Sequence, residues 1–360
     1  MTSADFDARF ARARALAAEA GVDGLYVTAG PNFRWLSGEA AHPGGWPLWL
    51  SAILLPLDGE PAMVISKMHA EIFDLERCPV RTVHTYVDGE DPRPALRAAA
   101  AGFRGTVLGV DDPLWLGDAE LLTETLPAAK LRRTPEVFQR VRAVKDAFEI
   151  EQLRIAAASH DAGYRRAAEV IRPGVTVAEA GTEIMRAMAE AGSEEVAIVG
   201  AFKQLSGRRF APGDVVDVDL FPGSHGGYRG DTARNVFVGE PTAEARRLYQ
   251  ATLAAYDAAI AVVRPGVPCE EIHRACAAAM REVGYDQVWK VGHGVGLNEA
   301  HEPPLLQYGN IEPVQEGMVF TIDPGAFLAR DTPIHIEDMV VVTATGCEPL
   351  NTFSRELLVV

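Results

Sequence analysis

The side chains in this sequence best spaced to do chemistry are carboxylates and imidazoles. Asp217 and Asp219 stand two residues apart in an apolar run, so on a strand they project to one face. The Pro222-Gly223 and Gly226-Gly227 pairs that follow predict a hairpin returning Asp231 to the side of Asp219. Carboxylates crowded between apolar walls are unstable unless a positive charge sits among them, and a metal ion is the obvious candidate. Read alone, the same aspartates would also suit turns.

A second copy of the pattern decides between those readings. Gly317-Met-Val-Phe-Thr-Ile-Asp323 repeats the spacing of Gly213-Asp-Val-Val-Asp-Val-Asp219, and the apolar run from Ile334 contributes Glu337 as the first copy contributes Asp231. Upstream, Ile171-Arg-Pro-Gly174 matches Val263-Arg-Pro-Gly266, and each opens a helical pattern that closes on Gly192 or Gly284. In this register His293 takes the place of Ala201. Duplicated halves, each with two acids and one with a histidine, predict a pseudo-twofold site between them. His301 follows in the same Gly-rich segment, where it would steady a charge developing on substrate. The glycines around His293 lack the spacing and the strand-loop-helix context of a dinucleotide loop. Four carboxylates and one imidazole make an oxygen-rich site for manganese, with iron, cobalt or zinc as alternatives. Two bridged ions there would hold a hydroxide nucleophile and polarise a carbonyl.

These residues need a scaffold, and the composition supplies one. The chain has 360 residues, 48% of them hydrophobic, which is enough for one or two globular domains. A net charge of −16 argues against a nucleic-acid surface. The acidic N-terminus and the lack of a long apolar run argue against a signal core and a membrane span, and point to the cytoplasm. The four cysteines form no Cys-x-x-Cys pair and read as reduced; Cys269 and Cys276 would sit about 10 Å apart along a helix. From the start, a helix over Asp5–Ala20 leads to a strand at Gly24–Thr28 and a turn at Gly30–Asn32. Strands at Ser51–Leu57 and Pro61–Ser66 flank an Asp58-Gly59 turn, and another strand covers Thr106–Val110. This alternation predicts a small α/β domain over residues 1–134. Its His42, His69 and His84 read as surface or capping residues, and Trp35, Trp46 and Trp49 as core or interface aromatics. A long helical stretch from Glu136 to Ile171 then opens a second domain, residues 135–360, which holds the duplicated halves.

The segments GYRGDTAR, GHGVGLNEAHEPP, EGMVFTIDPG and IHIED, in the order Asp, Asp, His, acid, Glu, resemble the pita-bread metallopeptidases: aminopeptidase P, prolidase, methionine aminopeptidase and their relative creatinase. The resemblance spans nearly the whole chain. Gly24–Gly38 is similar to the creatinase-type N-terminal domain, and Arg142–Glu149 to the family's linker helix. It implies an α/β fold with a small creatinase-like domain followed by a pseudo-twofold pita-bread domain. It further implies Asp219, Asp231, His293, Asp323 and Glu337 as ligands of a dinuclear centre, with His293, His301 and Asp323 in catalysis. A homodimer is the family's usual state.

The departures from the family pattern are concentrated at the site. The intervals from Asp219 to Asp231 and from His293 to His301 are each one residue longer than in most members. Asp323 replaces the usual Glu, His335 the usual Arg, and the loop Gly200–Phe210 has no histidine where peptidases place one. His225, in the inserted turn, is a candidate substitute for it. Asp217 is an extra acid; it would orient a ligand, add one, or anchor a cationic substrate group. Asp217, His335 and Tyr228 are therefore expected at the substrate. The leading reading is hydrolysis of Xaa-Pro dipeptides or short peptides. A metal-dependent hydrolase or lyase of a non-peptide small molecule is one alternative, and a non-catalytic peptide-binding module is another.

Overall fold

The computed structural model describes residues 3–40, 45–110, 114–199, 202, 207–287, 289–298, 301–330 and 332–360. The chain forms two compact units, Met1–Val141 and Arg142–Val360. Sequence reasoning sets the domain division at 134/135, just before the helix Pro135–Ala143; the units part inside that helix.

In the first unit a mixed sheet has the order β4-β3-β2-β1-β5-β6, built from β1 (Gly24–Thr28), β2 (Ala52–Pro56), β3 (Ala62–Ser66), β4 (Thr82–Tyr86), β5 (Val107–Val110) and β6 (Lys130–Arg133). The central strands β1, β2 and β3 are buried along their whole length, so their apolar residues run without alternation. β2 and β3 pair antiparallel across the Asp58-Gly59 turn, as expected. Pro31 opens a short helix, Pro31–Ser37, where a turn is expected, because its fixed φ and missing N–H suit the first helical position. Trp35 is fully buried, and His69 is buried against Ser66 Oγ; His42 lies outside the described residues.

The second unit opens with a correction. The stretch Glu136–Ile171 is two helices, Pro135–Ala143 and Ala147–Val170, not one. Asp146 caps the second through a reciprocal capping box with Glu149. Lys145 N–H donates to Gly317 O at 2.9 Å, which turns the intervening residues into a strand bridge. The helix pair Ala147–Val170 and Val177–Glu190 is matched by Ala243–Val262 and Cys269–Glu282. Against these lie β7 (Val215–His225) with β8 (Tyr228–Phe237), and β11 (Val319–Ile322) with β14 (Asp338–Val342); the short strands β9 (His293–Gly294), β10 (Glu302–Leu305), β12 (Gly325–Ala329) and β13 (Thr332–His335) belong to the second half. Two apolar cores follow the same division, one around Val216, Val218 and Leu220, the other around Phe320, Ile322 and Val340. The pseudo-twofold arrangement read from the repeat is present. All four cysteines are free.

Candidate metal centre

The first half delivers its acids from the β7–β8 hairpin. Gly226 and Gly227 form its two-residue turn with φ of 58° and 78°, the positive values at both central positions that a type I′ turn requires and glycine adopts without strain. Asp217 and Asp219 face Asn235 and Ala233, and the register shifts between Leu220 and Gly223. That bulge takes up the extra residue between Asp219 and Asp231 and turns Asp231 inward. Beneath it lies His160, which sequence reasoning passed over. A Cβ at Gly223 would come within 2.2 Å of its Nε2, and its Nδ1 meets Thr232 Oγ1 at 3.0 Å. Burial holds the His160 pKa down to about 4, so a neutral ring supports the bulge beside Asp231.

The second half delivers Asp323 just past β11, Glu337 just before β14, and His293 on β9 (His293–Gly294). Glu337 N–H donates to Ala233 O at 3.1 Å, which ties the two halves across the pseudo-twofold. The buried Arg234 guanidinium donates to Glu337 O at 2.9 Å and to Asp338 Oδ1 at 2.6 Å, so Glu337 has a rigid base. The glycines flanking His293 serve close backbone approach. A Cβ at Gly292 would lie 1.9 Å from Thr321 O, and one at Gly294 would lie 2.2 Å from Pro303 O. His293 Nδ1–H donates to Gly294 O at 3.1 Å, leaving Nε2 with its lone pair toward the acids.

Together these elements bring most of the expected residues together. Three clusters have ligand atoms within 4.8 Å of one another: Asp219–Asp231–Glu337, Asp231–His293–His301 and Asp217–Asp219–His335. His293 Nε2 lies 3.3 Å from Glu337 Oε1 and 3.6 Å from Asp231 Oδ2. Asp323 joins none of these clusters among the described residues; its Oδ1 faces His335 Nδ1 at 3.2 Å. His301 stacks on His293 with ring centroids 3.7 Å apart, its Nε2 3.9 Å from Asp231. Burial, then His293 and Lys290, press the His301 pKa down to about 4, so its ring is neutral at pH 7.

The electrostatics describe a site short of positive charge. Burial and then the neighbouring acids push Asp231 well above the ordinary carboxylate range; Asp219 is also pushed well above it by burial, though His335 opposes the shift. Burial, with Glu337 beside it, raises Asp323 to about 6. Burial also pulls Glu337 upward, but His293 and His335 outweigh it and its pKa is lowered. Burial would depress His335, yet Asp217 and Asp323 hold its pKa well above the usual value. Asp219 Oδ1 and Glu337 Oε1 are buried with no aligned hydrogen-bond donor. Orphaned anionic oxygens of this kind cost several kcal/mol unless a cation meets them. The residues fit divalent metal: hard oxygens, imidazoles and unmatched negative charge converge on one point.

The clusters line a cavity of about 470 Å³. Its wall holds Trp289, Phe221, Phe327 and Pro333, with Lys290 as its lysine. Trp289 stands edge-on to Phe327 at 5.6 Å and donates from Nε1 to Asp323 O at 3.0 Å. These wall residues carry no local pattern, and the sequence offered no signal for them beyond an aromatic–cation pair close before His293. Tyr228 is not brought to the cavity. It packs edge-on against Phe148 near the hairpin turn, 6.2 Å between centroids, because its place on β8 turns it to the face of the Ala147–Val170 helix. His225 sits at the same end, Nδ1 2.9 Å from Gly192 O, and does not line the cavity.

A two-domain layout with a dinuclear-type acid and imidazole site at a pseudo-twofold defines a metal-dependent hydrolase of pita-bread architecture. Residues 151–344 match the metallopeptidase family M24, and residues 9–144 match the creatinase/prolidase N-terminal domain; the chain belongs to the M24 metallopeptidases. A protein of Mycobacterium tuberculosis named "Probable dipeptidase PepE" is 33% identical, over 100% of this chain and 99% of its own. The Xaa-Pro dipeptidase of Pyrococcus horikoshii is 25% identical over 94% of this chain and 95% of its own. Among solved structures, dipeptidase PepE from Mycobacterium ulcerans superposes with a TM-score of 0.89 at 30% identity, covering 100% of this chain and 99% of that one. Recombinant prolidase from Thermococcus sibiricus gives 0.87 at 26% identity, covering 99% of each. The chain is a metallopeptidase, and no helix among its described residues is long and apolar enough to cross a membrane.

Proposed function

We propose that this metallopeptidase is a dipeptidase that cleaves Xaa-Pro dipeptides. The observation that carries the reading is the composition of one cavity: the acid and imidazole clusters on one side, an aromatic wall and Lys290 on the other. Asp219, Asp231, His293 and Glu337 would hold two divalent ions, manganese first among manganese, iron, cobalt and zinc, with Asp323 and His335 paired beside them. When bound, such ions polarise the scissile carbonyl and make a water acidic enough to serve as nucleophile at neutral pH. The chain's own residues do the rest. Trp289, Phe221, Phe327 and Pro333 offer an apolar wall against which a prolyl ring would pack. Lys290 pairs with the free carboxylate of the second residue, which favours dipeptides over longer chains. His301, neutral and stacked on His293, donates a proton in a hydrogen bond to the carbonyl oxygen as it gains charge.

We also place the protein in the cytoplasm as a homodimer. Four free cysteines support the first. Leu48, Ile72, Trp115 and Leu116, exposed on the N-terminal unit, support the second. The test is release of proline from a panel of Xaa-Pro dipeptides and their amides, with manganese and after chelation. Chelator-sensitive cleavage is expected, with a higher KM for the amides than for the free dipeptides. Protein loaded with two ions that leaves every dipeptide intact would sink the reading in favour of a non-peptide substrate.

A further inference from the structure

Resting on the reading of this site as a two-ion centre, we infer that His335 is a direct metal ligand together with Asp217 and Asp219, and that Asp323 orients His335 instead of binding the ion. The inference begins with reach. Asp217, Asp219 and His335 each present a ligand atom within 4.8 Å of the others, and Asp323 belongs to no such group among the described residues. Aspartate is one methylene shorter than the glutamate expected at position 323, and its Oδ1 is already taken by His335 Nδ1 at 3.2 Å.

The state of the ring points the same way. His335 Nε2 lies 2.8 Å from Asp217 Oδ1, and Asp219 Oδ1 across the gap is buried without a hydrogen-bond partner. Glu337 Oε1, on a side chain 4% exposed, is orphaned beside them. A ring whose Nδ1–H is held by a carboxylate while Nε2 faces further anionic oxygens has the arrangement by which proteins orient histidine on a metal.

The ring is also fixed in place. His335 N–H donates to Asn235 Oδ1 at 2.9 Å, and Asn235 Nδ2 donates to Pro333 O at 3.1 Å. Trp289 stands edge-on to the ring at 6.3 Å and holds Asp323 through its backbone carbonyl. The three clusters then divide naturally. Asp217 and His335 serve one ion, His293 serves the other, and Asp219, Asp231 and Glu337 lie between them. Each ion gains an imidazole, and the shortened acid is explained by the histidine it supports.

The test is a crystal structure of the full chain grown with manganese, with anomalous diffraction locating the ions. Two ions are expected, one at about 2.0–2.3 Å from His335 Nε2 and from oxygens of Asp217 and Asp219. An ion bound by Asp323 with His335 Nε2 out of reach overturns the inference and leaves the metal centre standing; no bound ion at all overturns both. Metal content gives a second readout that does not depend on turnover. His335→Ala should retain one ion per chain, and Asp323→Ala should retain two with affinity weakened about 10–100-fold. The reverse ranking overturns the assignment.

Discussion

Glu302 follows His301 directly and enters strand β10 (Glu302–Leu305), and its environment makes the sharpest single prediction. Its carboxylate accepts from Lys145 Nζ at 2.9 Å and from the Arg142 guanidinium, and the three side chains are 4%, 1% and 10% exposed. Gly296 leaves room for it, since a Cβ there would come 2.4 Å from Glu302 Oε1. Glu302→Gln removes one negative charge and leaves Lys145 and Arg142 facing a neutral amide, a change that costs about 3–5 kcal/mol. For a unit of this size that corresponds to a fall of about 6–20 °C in Tm. Burial raises the Glu302 pKa, but Arg142 and Lys145 outweigh it and leave it below its ordinary 4.5. A depressed carboxylate contributes stability above its unfolded value, and that contribution is lost as pH falls through the folded value. The gap between wild type and variant should thus be constant from pH 8 to pH 6 and close only below about 4.5. Thermal unfolding followed by circular dichroism at matched metal content measures it. A gap under about 1 kcal/mol, or one that already closes between pH 7 and 6, would refute the argument.

Chelation should lower the Tm of the second unit and manganese should restore it, by about 2.7 kcal/mol at a hundredfold excess over Kd; equal melting with and without metal would contradict a site built for cations. Lys290→Met should raise KM for Xaa-Pro dipeptides about 10–100-fold, from the loss of a charged hydrogen bond, while leaving dipeptide amides unchanged; equal effects on both would remove the lysine from carboxylate binding. Gly292→Ala, whose Cβ would meet Thr321 O at 1.9 Å, should displace β9 and cut metal affinity at least tenfold by calorimetry; normal binding would show that the backbone there yields. Asp323→Glu and His335→Arg should each weaken metal binding, whereas the pair together should recover two ions; additive losses would show that the positions are independent.

Much of this was legible because it repeats. Alternation over Val215–Asp219, the Gly226-Gly227 turn and the second copy ending at Asp323 are local patterns, and local patterns survive in a sequence. The break before Ala147 was equally readable, since Asp146 and Glu149 carry the spacing of a capping box, but helical periodicity on both sides masked it. Other features arise only from packing. Trp289, Lys290 and Phe327 meet across a cavity wall assembled from separate segments. His160 is one more residue in a long helix until Gly223 and Gly230 close over it. Tyr228 shares a motif with Asp231 but not a direction: strand geometry sends them to different surroundings, which no motif records.

The two substitutions at the centre also make more sense together than apart. An arginine at 335 would stay charged and has no lone pair, so it could only balance the acids. A histidine balances them as a cation and exchanges that proton for a metal ion when one arrives. Its partner Asp217, 2.8 Å from His335 and 2% exposed, then ceases to be a surplus charge, because the ion inferred to be shared with His335 engages it instead of a cationic substrate group. With Asp217 so occupied, the charge left to select substrate in the described cavity wall is Lys290, and its sign favours a ligand that ends in a carboxylate. The same pair of changes that shifts the metal ligands therefore leaves the peptide reading intact, and turns it toward dipeptides.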